Sequence, residues 1–89
     1  NKELNEVSVS DRDMDLTEIE YQILKLLISA PKRIFSAQLI FETVWGEPYM
    51  YSSSATVMVH IRKLRVKLED DPQNPRHIMT VWGKGYRLE

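Results

Sequence analysis

The stretch Ala55-Thr56-Val57-Met58-Val59-His60-Ile61-Arg62-Lys63-Leu64-Arg65-Val66-Lys67-Leu68 decides how the chain is read. Val57, Ile61, Leu64 and Leu68 recur at i, i+4, i+7 and i+11, which is one stripe of a helix. Thr56, His60, Lys63 and Lys67 repeat that spacing one position earlier, so a polar, basic stripe borders the apolar one. Arg62 and Arg65 add cations further round. Such a helix docks on a core by one edge and offers its other side to water or to a polyanion. As a recognition helix it suits the major groove of a DNA duplex. The stretch alone leaves both readings open.

At 89 residues the chain is one small domain, with room for a modest core and little room for a deep substrate pocket. It has no cysteine, which removes disulfides and thiolate metal sites and suits a reducing compartment. No apolar run approaches a membrane span and the N-terminal residues are acidic, so no membrane role is expected. The net charge of −1 argues against nucleic acid until its distribution is read. Residues 1 to 47 carry nine acids against five Lys or Arg, whereas residues 48 to 89 carry seven against four acids. A bipolar domain binds phosphates with one face and is repelled by them on the other.

In chain order, Glu6 to Ser10 and Met14 to Leu16 read as short strands about the Asp11-Arg12-Asp13 turn. Thr17-Glu18-Ile19-Glu20 is a capping box, followed by a helix that Pro31 stops. A second helix starts at the N-cap Ser36 and ends at Gly46 in the left-handed conformation. The loop from Trp45 to Ser53 is unusually aromatic. It reads as a core plug by Trp45 and one tyrosine, or as a partner-contact loop. Ser52, Ser53 or Ser54 is the expected cap of the third helix. After a polar, proline-marked turn, Ile78 to Val81 and Tyr86 to Leu88 form a hairpin about Trp82-Gly83-Lys84-Gly85, with Lys84 at its tip. Three helices and a basic hairpin make an α+β winged helix-turn-helix.

Catalytic chemistry finds no foothold. His60 and His77 have no carboxylate or thiol at ligand spacing, so no metal is expected. No serine sits in a nucleophile elbow, and Gly83-Lys84-Gly85 precedes no helix, so it is a turn rather than a phosphate loop. Neither an enzymatic activity nor a cofactor is expected.

Four stretches resemble the effector domains of OmpR/PhoB response regulators. They are Asp15-Leu16-Thr17-x-x-Glu20-Tyr21-x-Ile23-Leu24, Ser36 with Val44-Trp45-Gly46, Thr56 to Leu68, and Thr80-Val81-x-Gly83-x-Gly85-Tyr86-Arg87. Trp82 and Val57-Met58 look more like the VanR subgroup. The resemblance implies sequence-specific binding of double-stranded DNA by the output domain of a cytoplasmic two-component regulator. Residues 1–89 would be that domain. The receiver domain, absent here, would on phosphorylation place two copies on direct-repeat half-sites. The family fold opens with a four-stranded sheet. This chain has room for about two of those strands, a truncated N-terminal antiparallel sheet.

Carried over by position, Val59 and Lys63 match base-contacting residues. Trp45, Thr56, His60, Arg62 and Arg65, with Thr80 and Tyr86 around the wing, match backbone contacts. The loop of Glu47, Tyr49, Met50 and Tyr51 matches a segment that touches RNA polymerase in some relatives. Ala55 and Lys63 stand where arginines are common, and Trp82 where an arginine usually enters the minor groove. Trp82 is expected to fold back on the wing rather than stack on a sugar or insert at a flexible step. Neutralising four to six phosphates would give a salt slope of about −4 to −5. A winged helix used for protein–protein contact, centred on the Tyr49 loop, is the alternative.

Overall fold

The computed structural model describes residues 15–89. The expected strand at 6–10 and Met14 lie outside the described residues, and Asp15 and Leu16, the rest of the expected second strand, belong to neither helix nor strand. Helix α1 (Glu18–Ser29) opens on the expected capping box. Glu20 N donates to Thr17 Oγ1 at 3.2 Å and Thr17 N donates back to Glu20 Oε1 at 3.1 Å. Helix α2 (Ala37–Trp45) is capped by Ser36 Oγ, which accepts from Leu39 N at 3.0 Å, and ends at Gly46 with φ +70°.

Helix α3 (Ser53–Leu68) is the long central element. The expected serine cap is not made, which corrects the sequence reading. Ser52 stands at the N-cap in a helical conformation (φ −90°, ψ 0°) and makes no side-chain cap bond. Ser53, just inside, is buried instead, and its Oγ accepts from Met50 N at 2.8 Å. The hydroxyl latches the preceding loop rather than the helix end.

Val57, Ile61, Leu64 and Leu68 are all buried, as their spacing predicts, against Ile23, Leu24 and Leu27 of α1, Ile40 and Phe41 of α2, Phe35 and Ile78. Each side chain of this kind gains about 1.5–3 kcal/mol on leaving water, so the stripe fixes the rotation of α3 about its axis. Trp45 stacks on Phe41 (centroids 5.0 Å apart, 14° between planes) and Tyr49 meets Phe41 edge-on at 6.1 Å. The core-plug reading of Trp45 and one tyrosine therefore holds.

Strands β1 (Ile78–Val81) and β2 (Gly85–Leu88) pair antiparallel, with Ile78 opposite Leu88 and Val81 opposite Gly85. The α1–α2 connection runs along the outer edge of β2. Phe35 N donates to Tyr86 O at 2.7 Å, Tyr86 N to Phe35 O at 2.9 Å, and Lys32 N to Leu88 O at 2.8 Å. This close approach requires Gly85, whose added Cβ would lie 2.1 Å from Phe35 O.

The start of β1 is held by Glu69, a buried carboxylate just past α3. It accepts from the backbone N–H of Arg76 at 2.8 Å, His77 at 3.0 Å and Ile78 at 2.8 Å. The polar turn of residues 69–75 thus closes onto the residue that opens it. Glu69→Ala would leave three backbone donors without their carboxylate, and buried donors are costly to strand. We expect a loss of about 3–4 kcal/mol in urea unfolding, with the hairpin amides exchanging faster than those of α1.

Candidate nucleic-acid interface

With its apolar stripe buried, α3 turns Val59, Arg62, Lys63 and Val66 outward. Val59 is 42% and Val66 61% exposed, and both cations lie in solvent. Met58, 48% exposed, leans toward the hairpin. The hairpin stands beside this face, and a cleft of about 700 Å³ separates Met58, Arg62 and Val66 from Trp82 and Tyr86.

The basic stripe read from the sequence divides into three parts. Lys63 projects freely. Lys67 turns inward, donating to Glu20 Oε1 at 2.6 Å and to the carbonyl of Asp15 at 2.9 Å. Burial alone would raise the Glu20 pKa, but Lys67 and the bonds from Thr17 hold it below its ordinary value of 4.5. His60 is half-buried, edge-on to Trp45 at 5.2 Å, with Nδ1 2.8 Å from Thr56 O. A carbonyl only accepts, so the proton is assigned to Nδ1. The neutral ring then shows an acceptor at Nε2, and only the imidazolium donates there to a phosphate. Thr56 Oγ1, half-buried, donates to Ser52 O at 3.4 Å.

Arg65, matched to a backbone contact, spans the cleft instead. Its Nε and Nη2 donate to Ile78 O at 3.1 and 2.8 Å, and Nη2 also to Thr80 Oγ1 at 2.8 Å. The guanidinium lies 5.9 Å from the Tyr86 ring centroid. Burial lowers the Arg65 pKa, with Tyr86 and Glu69 acting the other way, and burial raises that of Tyr86 against the pull of Arg65. Arg65 is a strut between α3 and the hairpin. Sequence reasoning had no means to see it, because its partners lie 13 and 15 residues on.

Trp82 does not fold back on the wing. It is 89% exposed, which overturns the expected packing. Tyr86, the other aromatic ring of the hairpin, is half-buried, with the Arg65 guanidinium 5.9 Å from its centroid. Lys84, also at the tip, is exposed. In the loop of residues 47–51, Tyr49 faces the core while Glu47, Met50 (65%) and Tyr51 (102%) face solvent.

This arrangement defines a winged helix in which Arg62 and Lys63 on the outward helix face and Lys84 at the hairpin tip are exposed cations. Residues 11–88 match the family described as "Transcriptional regulatory protein, C terminal". The chain is 56% identical over 87 residues to the uncharacterised transcriptional regulatory protein YrkP of Bacillus subtilis (strain 168), and 38% identical over 89 residues to the regulatory protein VanR of Enterococcus faecium. These alignments cover 98% and 100% of this chain and 38% of each relative, so the chain spans well under half of their length. Among solved structures, the DNA-binding domain of Klebsiella pneumoniae RstA, in complex with RstA box, superposes with a TM-score of 0.75 at 28% identity, covering 85% of this chain and 74% of that one. The chain belongs to the family of OmpR/PhoB-type transcriptional regulators and is a DNA-binding regulatory output domain.

The pairing of Lys67 with Glu20 separates stability from binding. A carboxylate with a lowered folded pKa contributes stability above its unfolded value and loses it as pH falls through the folded one. Lys67→Met should therefore cost about 1–3 kcal/mol at pH 7, less than for a fully buried pair because Lys67 is a third exposed. The deficit should shrink as pH falls below 4.5, where Glu20 discharges in both proteins. Urea titrations across pH check the sign, and affinity for duplex DNA should not change.

Proposed function

We propose that this domain reads double-stranded DNA with the outward face of α3, Val59 and Lys63 contacting bases in the major groove while Arg62 and Lys84 meet phosphates. The observation that carries this reading is the exposure of Arg62 and Lys63 on the outward side of α3 and of Lys84 at the hairpin tip, with Arg62 lining the cleft between helix and hairpin. Trp45, Thr56 and His60 border the same face and supply further contacts. Thr80, Tyr86 and Arg65 hold the hairpin at the height the groove requires, so their part is positioning. The domain acts by binding and needs no catalytic step.

In the whole protein this domain is the effector of a cytoplasmic two-component regulator, coupled to a receiver domain and working as two copies on direct-repeat half-sites. A single copy makes few contacts, and a second on the same duplex raises affinity through effective concentration. Met50 and Tyr51 project from the loop between α2 and α3 and support a contact there with RNA polymerase, whose chemistry would be an apolar patch ringed by polar groups.

Because Arg65 and Lys67 are engaged within the fold, fewer cations remain for phosphates than the sequence suggested. With three to four phosphates neutralised, log K should fall with log salt at a slope of about −3 to −4. Lys63→Ala should erase about 1–3 kcal/mol of discrimination at one base step. Arg65→Ala should weaken every sequence by loosening the hairpin while leaving the slope unchanged. Titration of selected and random duplexes across salt separates the two. Equal losses on both duplexes for Lys63→Ala would remove it from base reading, and no binding of either at low salt would favour a protein-interaction module.

A further inference from the structure

We propose that Trp82 is an apolar wedge that enters the minor groove beside α3 and kinks the duplex at a flexible pyrimidine–purine step. The proposal rests on the DNA reading above and adds a residue that selects sequence where α3 makes no contact. Trp82 stands 89% exposed at the turn between Val81 and Gly85. An indole carries 150–250 Å² of largely apolar surface, and nothing in its own hairpin covers it. Gly83, with φ +76° and nothing within 4 Å of its missing Cβ, keeps the opposite side of the tip narrow. Lys84 supplies a cation next to the ring, and its N–H closes the turn onto Val81 O at 2.9 Å.

A wedge that parts stacked bases needs a mount stiffer than the stack. This hairpin is fixed at three places: to α3 through Arg65 on Ile78 O and Thr80 Oγ1, to the α1–α2 connection through the Phe35–Tyr86 bridge, and at its root by Glu69. Its position also fits. The cleft between Trp82 and the Met58–Arg62–Val66 side of α3 is where one sugar–phosphate strand runs when helix and hairpin occupy neighbouring grooves. Arg62 lies on that wall. Asp71, the one acid lining the cleft, has its carboxylate committed to Gln73 N at 3.1 Å and Asn74 Nδ2 at 2.9 Å. Apolar side chains inserted from the minor groove unstack one step and bend the duplex, and TA and CA steps yield most readily. An arginine there would read groove width by charge. An uncharged indole reads deformability.

The test uses this 89-residue chain and a duplex selected by it from a random pool, labelled at both ends for energy transfer. We expect the wild-type complex to be bent, and replacement of the pyrimidine–purine step under the wing by AA to weaken binding. Trp82→Ala should straighten the bound duplex, abolish that step preference and reduce affinity roughly five- to hundredfold, the scale of a lost aromatic–base contact. Its salt slope should match wild type, since no charge is removed. Trp82→Phe should retain part of the bend. Lys84→Ala should keep the bend and lower the slope by about one. A duplex that is bound but straight, or equally bent by Trp82→Ala, overturns the wedge while leaving the DNA reading intact. Failure of wild type to bind any duplex overturns both.

Discussion

Burial of Val57, Ile61, Leu64 and Leu68 against α1 and α2 is the constraint from which the remaining structure follows. A helix buried along one stripe has no freedom to rotate, so every other side chain on α3 has its direction set by its distance from that stripe. Val59, Lys63 and Val66 face away from the core, Arg65 is turned toward the hairpin, and Lys67 toward α1. Position round the axis therefore separates three cations of the same helix, Arg65 lying nearly opposite Lys63 and Lys67 about 40° from it. Lys63 lies in solvent, Arg65 braces the wing, and Lys67 balances a buried acid.

The charge pattern gains its meaning from this sorting. A basic stripe read along the sequence suggests a continuous cationic strip, but only part of it reaches solvent. The outward surface of α3 is more apolar than its composition implies, with Met58, Val59 and Val66 beside Arg62 and Lys63. The acids follow the same logic. Glu69 is spent on three backbone donors and Glu20 on a lysine and a helix start, so neither stands as free charge.

Local signals made most of the fold legible. The Thr17 capping box, the Ser36 cap, the left-handed Gly46 and both hairpin strands are decided within a few residues, and each stands where its pattern placed it. The apolar stripe of α3 is likewise local. What the sequence concealed depends on partners far along the chain. Lys67 meets a carbonyl 52 residues away, Arg65 a hydroxyl 15 residues on, and Glu69 three amides seven to nine residues on. Trp82 was misread for a related reason. The indole stands 89% exposed while Tyr86, the other ring of the hairpin, lies near the Arg65 guanidinium.

The claim at the centre is that the rotation of α3 presents one particular face, with the hairpin tip beside it, to duplex DNA. Amide and side-chain chemical-shift mapping of the chain titrated with a selected duplex tests it most directly. The account predicts that the largest shifts fall on Val59, Arg62, Lys63, Trp82 and Lys84, while the side chains of Lys67 and Glu20 hold their positions. Shifts concentrated instead on Met50 and Tyr51, with the α3 face silent, would contradict it.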